Sequence, residues 1–170
     1  MVMKIRRATI NDAAALAEIA ERTFRDTFEK DNTPEDLEAY VASAYGEALQ
    51  RRELEDPEGL ALLGESEDGT LIAYTQMRRV CSPHGEVEIA RFYVDRTYHG
   101  QGLAQQLMNA AVDAARELGA TTLWLGVWER NWRAIAFYAK CGFQDVGSKP
   151  FLVGSDLQTD RVMARVISSS

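Results

Sequence analysis

The stretch from Val87 to Gly119 limits most sharply what this chain can fold into. Val87 to Val94 is rich in β-branched and aromatic residues and reads as a strand. Asp95 to Gln101 is polar and holds Gly100, the signature of a turn. After Gly102, the apolar residues Leu103, Leu107, Met108, Ala111, Val112, Ala115 and Leu118 recur every three or four positions, the stripe of a helix with one buried face. Gly119 then stands where a C-terminal glycine stop belongs. Strand, glycine turn and helix in that order build an anion site. The first N–H groups of a helix lack internal partners, the helix dipole adds roughly half a positive charge, and glycines let the backbone approach a phosphate closely. Two phosphate loops do not fit. A P-loop needs Gly-Lys-Ser/Thr where Gly102-Leu103-Ala104 stands, and a dinucleotide fingerprint needs glycine where Gln105 stands.

The flanking sequence supplies the rest of a layered fold. Met3 to Thr9 alternates weakly as a first strand, and Asn11-Asp12 offers a cap for a helix whose buried stripe is Leu16, Ile19, Ala20, Thr23, Phe24 and Phe28. Pro34, with Glu35 and Asp36 behind it, opens a second helix carrying Leu37, Tyr40, Val41, Ala44, Tyr45 and Leu49. Leu60–Glu65 and Leu71–Val80 read as strands joined by a hairpin at Asp68-Gly69. Thr122–Trp128 is a buried strand, Asn131 caps a short helix through Tyr138, and Phe143–Val146 and Arg161–Ile167 are the last strands. The order β-α-α-β-β-β-α-β-α-β-β predicts an α/β (α+β) fold: a mixed, mostly antiparallel sheet of about seven strands with helices on both faces. A single domain is expected over residues 1–167, with Ser168–Ser170 as a frayed tail.

Charge and cysteine usage bound the partners. Nineteen basic residues against 26 acidic ones give a net charge of −7, which argues against nucleic acid and leans toward a cationic substrate. Two cysteines, Cys81 and Cys141, make no disulfide framework and fit a reducing, cytoplasmic setting. No apolar core follows Lys4, Arg6 and Arg7, and no run approaches membrane length, so no membrane partner is expected. Two histidines and two unclustered cysteines predict no metal site.

Two motifs carry a family resemblance. His99-Gly-Gln-Gly102-Leu-Ala104 resembles the pyrophosphate loop of the GNAT family of N-acetyltransferases, Gln/Arg-x-x-Gly-x-Gly/Ala, with His in the first position instead of Gln or Arg. Asn131-Trp-Arg-Ala134-Ile-Ala-Phe-Tyr138-Ala-Lys-Cys-Gly142-Phe143 resembles the family's second signature, Asn-x-x-Ala-x-x-Phe-Tyr-x-x-x-Gly-Phe. The predicted element order matches the GNAT fold over nearly the whole chain.

The resemblance implies direct acetyl transfer from acetyl-CoA to a primary amine within a ternary complex. Such an amine has a pKa near about 10.4 and must shed a proton before or during attack. The oxyanion needs an N–H donor, and the leaving thiolate, with a pKa of roughly 8.5, gains from a nearby acid. Tyr138 matches the family's tyrosine beside the thioether sulfur and is the candidate general acid. Glu88 is the candidate base, because it stands where the resemblance puts the catalytic glutamate of the family's histone acetyltransferases. It lies six residues before Val94, and strand alternation groups it with Ala90, Phe92 and Val94. Glu86 is the fallback, and water chains are the alternative to any single base. The resemblance implies cofactor contacts from Phe92, Tyr93 and Val94 along the pantetheine arm, from His99, Gly100, Gln101, Gly102, Leu103, Ala104 and Gln105 around the diphosphate, and from Asn131.

The acceptor is less constrained. Trp124–Glu129 and the tail Phe151–Met163 are locally similar to bacterial PaiA-type spermidine/spermine acetyltransferases. Asp26, Glu29, Asp31, Glu35 and Asp36 offer acidic groups for a cation site. A peptide or protein N-acetyltransferase and a non-catalytic acyl-CoA-binding regulatory module are the alternatives. The resemblance also admits a homodimer joined through C-terminal strands.

Overall fold

The computed structural model describes residues 2–167, so the tail expected at Ser168–Ser170 lies outside the described residues. Seven strands form one sheet: β1 (Lys4–Arg7), β2 (Gly59–Glu65), β3 (Leu71–Arg79), β4 (Val87–Val94), β5 (Thr122–Trp128), β6 (Gln144–Val153) and β7 (Asp156–Val166). Their spatial order is β1-β2-β3-β4-β5-β7-β6, and β4–β5 is the parallel pair among antiparallel neighbours. Parallel neighbours need a crossover, and the helix α4 (Leu103–Glu117) supplies it. It shares one face with α5 (Trp132–Lys140), where Leu107, Met108 and Ala111 pack against a core containing Val87, Ile89, Leu123 and Leu125. Burying a side chain such as Leu107 contributes about 1.5–3 kcal/mol. On the opposite face, α1 (Ala13–Phe28) and α2 (Pro34–Ala44) bring Leu16, Ile19, Phe24, Phe28, Leu37 and Val41 against Leu63, Tyr74 and Trp128. The expected mixed sheet with helices on both faces is the fold observed.

The second helix is shorter than its apolar spacing predicts. It ends at Ala44, and a separate helix, α3 (Glu47–Glu55), follows. Gly46 between them has φ +139°, outside helical space, and its N–H donates to the side chain of the buried Gln50 at 2.8 Å. Leu49 therefore continues the stripe by coincidence of spacing. The last two strands are longer than expected and form a hairpin. Lys149-Pro150 and Gln158-Thr159-Asp160 hid them by interrupting the apolar pattern, yet β6 is an edge strand, where Pro150 is tolerated.

Two irregularities in β4 shape everything that follows. Gln76 pairs with Arg91 while the next residue, Met77, pairs with Ile89, so Ala90 is an extra residue, a β-bulge. Pairing of β4 to β5 covers only Val87–Ile89 against Leu123–Leu125, and beyond it the two parallel strands part.

Candidate active site

The parted strands open a cleft of about 1090 Å³ that passes between the helical layers. One wall is Ile89–Val94 of β4 and the other is Leu125–Trp128 of β5. At one end lie the glycine turn and α5, contributing His99, Gly100, Gly102, Leu103, Ala104, Gln105, Asn131 and Tyr138. Gln101 of the expected set is exposed and does not line the cleft.

The glycine turn is held ready for an anion. Gly100 and Gly102 have φ +83° and +76°, and a Cβ on either would meet nothing within 4 Å, so open space stands over both. Gly102 is the N-cap of α4 and supplies no side chain, leaving the N–H groups of Leu103, Ala104 and Gln105 without intrahelical partners. The Leu103 side chain itself is buried in the core, so only its backbone is on offer. His99 turns away from the anion site: its Nε2 lies 2.8 Å from the Val94 carbonyl oxygen and donates to it, pinning the turn to β4. Asp95 braces the same turn by accepting from Thr97 N–H at 3.0 Å and from Arg22 at 2.6 Å. Asn131 caps α5 by accepting from Ala134 N–H at 3.3 Å, the expected cap. Tyr138 is 7% exposed, packed edge-on to Phe92 and Phe143. Burial raises its phenol pKa above the ordinary value, so the hydroxyl keeps its proton throughout the physiological range.

At the other end the walls are aromatic. Phe28 sits 5.0 Å from Trp128 and 5.8 Å from Phe151, ring centre to ring centre, and Tyr40 stacks on Phe24 at 4.4 Å. Arg91 lies under this group, giving hydrogen bonds to Glu53 at 2.9 Å and Gln76 at 2.6 Å with its guanidinium 5.0 Å from the Tyr45 ring centre. Of the carboxylates lining the cleft (Asp26, Glu53, Asp56 and Asp160), Asp160 is the buried one without a hydrogen bond on one oxygen. Asp160 stands opposite Trp128 across the β5–β7 ladder, is 7% exposed, and its Oδ1 has no hydrogen-bond partner.

The model of the Acetyltransferase (GNAT) family matches residues 14–143. The chain is 32% identical over 171 residues to an uncharacterized N-acetyltransferase of Lactobacillus delbrueckii subsp. lactis, covering 97% of this chain and 98% of the relative. The spermidine N(1)-acetyltransferase of Thermoplasma acidophilum is 23% identical over 158 residues, 90% of this chain and 96% of that one. The fold superimposes on the crystal structure of the PaiA N-acetyltransferase of Thermoplasma acidophilum in complex with coenzyme A with a TM-score of 0.81 at 22% identity, covering 98% of this chain and 99% of that one. The chain belongs to the GNAT acetyltransferase family. It is an acyltransferase, and the donor of this GNAT family is acetyl-CoA.

Two expectations for this GNAT protein need correction. The bulge at Ala90 inverts the alternation of β4, so Glu88 shares a face with Arg91 and Tyr93, not with Phe92 and Val94. Its carboxylate lies 3.7 Å from Arg78, and Glu88 is not among the described residues lining the cleft. Glu86 is turned to the loop before β5, where the Thr121 hydroxyl, donating at 2.8 Å, and the Thr122 N–H lower its pKa. Of the five acidic groups of the first helices, four are absent from the cleft lining. Asp26 alone of the five lines the cleft, beside Arg96 at 3.8 Å, while Asp31 faces Arg130 at 3.8 Å and Asp36 accepts from Ser155 N–H at 2.8 Å. The carboxylate that enters the aromatic end, Asp160, was quoted within the tail resemblance but given no role. Its signal was alternation with the buried Val162 within a strand that begins earlier than Arg161.

Proposed function

We propose that this protein acetylates a primary amine of a small organic cation, of polyamine type, by direct attack on acetyl-CoA bound in the cleft. The observation that carries the reading is the through-going cleft: an open helix N-terminus at one end, an aromatic chamber with a buried carboxylate at the other, and the gap between β4 and β5 joining them. An aromatic chamber with a buried carboxylate left over from the Arg91–Glu53 pair suits an alkylammonium, since ring faces attract a cation and Asp160 supplies negative charge. The 23% identity to a spermidine acetyltransferase over 90% of the chain points the same way.

The residues fit the donor. The N–H groups of Leu103, Ala104 and Gln105 hold the diphosphate at the helix dipole, with Gly100 and Gly102 allowing its approach. The β4 edge from Phe92 to Val94 has no β5 partner and is free to run along the pantetheine arm as strand addition does, and Asn131 borders the same channel. Acetyl-CoA supplies an activated thioester and a thiol leaving group. Tyr138, kept protonated by its burial, gives its proton to the departing sulfur. A backbone N–H of the unpaired β4 edge faces the developing oxyanion. Glu88, behind Arg78 and outside the cleft lining, takes no part in the transfer.

The test is thiol release from acetyl-CoA with a panel of spermidine, spermine, an aminoglycoside and short peptides. Saturable turnover of polyamines is the expected result. Turnover of peptides alone refutes the small-cation reading and keeps the chemistry; coenzyme A binding with no turnover of any amine favours the regulatory module. We also propose a homodimer through the β6–β7 edge, where Leu152 and Leu157 are exposed; a monomeric mass in solution refutes it.

A further inference from the structure

We propose that the Asp160 carboxylate receives the acceptor's ammonium head and takes its proton as the amide forms, which makes it a catalytic residue of this enzyme. The inference rests on the small-amine reading above and deepens it. The position is the first argument. Asp160, Val162 and Ala164 of β7 stand opposite Trp128, Gly126 and Trp124 of β5, on the sheet face of the aromatic chamber. Gly126 directly follows the last residue of β5 that pairs with β4, so it sits where the gap opens. A Cβ on Gly126 would come within 3.1 Å of Asp160 Oδ2 and closer still to Lys149, so the carboxylate and the lysine together lie over that bare backbone at the mouth of the gap. Tyr138 packs with the core on the opposite face. Acid and carboxylate thus flank the opening from its two sides, as transfer from a thiol on one side to an amine on the other requires.

The second argument is an unspent hydrogen-bonding capacity. A buried polar group is normally paired, yet Asp160 Oδ1 has no partner. An R–NH3⁺ group is the complement of such a site: it brings three donors and a positive charge. The charged or titratable groups around Asp160 are few. Lys149 from β6 pairs with it in register and lies across Gly126, with Cε 2.5 Å and the ammonium Nζ 3.2 Å from the position of a Cβ there, so an incoming ammonium shares Asp160 with this lysine or displaces it. Tyr40 from α2 feels the Asp160 charge, which raises the tyrosine's pKa further, and β5 contributes the uncharged Trp128 and Gly126. Burial pushes Asp160 up to about 6, against a partly offsetting pull from Lys149. A base in that range is ionised at neutral pH and is stronger than an ordinary aspartate.

The step balances. Asp160 takes one proton from the ammonium and releases it to solvent; the neutral nitrogen then forms the C–N bond, the C–S bond breaks, the nitrogen's second proton passes to Asp160, and the sulfur leaves as thiol with the proton of Tyr138. Asp160 then returns its proton to solvent and Tyr138 regains one.

The experiment is the pH dependence of kcat/KM for spermidine, with acetyl-CoA saturating, in the wild type, Asp160→Asn and Asp160→Glu. The wild type is expected to lose activity as pH falls through about 6. Asp160→Asn is expected to lose at least 100-fold in kcat/KM and the acidic limb with it, while its coenzyme A affinity stays within twofold. Asp160→Glu is expected to restore a limb at reduced rate. An Asn variant within threefold of wild type and with the limb intact overturns the role of Asp160 alone. A wild type that binds coenzyme A and turns over no amine overturns both readings. One measurement needs no variant: the side-chain carboxyl 13C resonance of Asp160 is expected to titrate near 6, with its midpoint falling when spermidine is added. An unmoved midpoint also overturns the inference.

Discussion

A carboxylate held for catalysis in a dry site should weaken the fold that holds it, and Asp160→Asn measures by how much. The folded-state pKa is about 6 against an ordinary 3.8. Each pKa unit corresponds to 1.36 kcal/mol, so ionised Asp160 destabilises the native state by about 3 kcal/mol at neutral pH. The sign follows from linkage. Between the two pKa values the native state binds the extra proton, so stability from this group is greatest below 3.8 and is lost as pH rises through 6. Roughly 1.4 kcal/mol of that loss falls between pH 5 and 8. The asparagine variant has no charge to bury. It carries instead an amide whose unmet hydrogen bonds cost about 1–3 kcal/mol, a term that does not vary with pH. The informative quantity is therefore the difference in unfolding free energy between variant and wild type as a function of pH, in which every other carboxylate cancels. Urea unfolding of both proteins from pH 5 to 8 should show the variant gaining about 1.4 kcal/mol on the wild type, or about 3–5 °C in melting temperature. Parallel curves would mean that Asp160 titrates as it does in the unfolded chain, and the reasoning from burial would be wrong.

Three further outcomes are expected. Tyr138→Phe removes the proton donor while leaving the ring packed against Phe92 and Phe143, so kcat at saturating substrates should fall about 100-fold with coenzyme A affinity unchanged; undiminished turnover refutes the acid role. Gly102→Ala forces a side chain into φ +76°, which should cost about 1–2 kcal/mol in a thermal melt and raise KM for acetyl-CoA about tenfold while leaving KM for the amine alone. Glu88→Gln should leave the kcat/KM–pH profile as it was, because its carboxylate is turned to Arg78 outside the cleft lining; loss of the acidic limb in that variant would return the base role to β4.

What was legible in the sequence is what neighbours along the chain decide. The spacing of Leu103, Leu107, Met108 and Ala111 is a property of one helix, and the cap at Asn131 is a contact across three residues. The glycine turn is equally local: Gly100 and Gly102 adopt positive φ within a loop whose strand and helix are read from their own periodicities. The glycine-turn end of the cleft was visible for that reason. The aromatic end was not, because it is built by convergence. Phe28 of α1, Tyr40 of α2, Trp128 of β5 and Phe151 of β6 meet around Asp160 only after the sheet has taken the order β4-β5-β7-β6. The face of Glu88 turned on one extra residue. Alternation has a period of two, so the bulge at Ala90, which exists only in the pairing with β3, reverses every assignment on its far side. Sequence by itself determined most of the elements and the glycine turn; tertiary structure decided where the second helix breaks, how far the last strands run and which carboxylate is left buried and unpaired at the gap, since burial and the absence of a partner belong to the packed chain and to no segment of it.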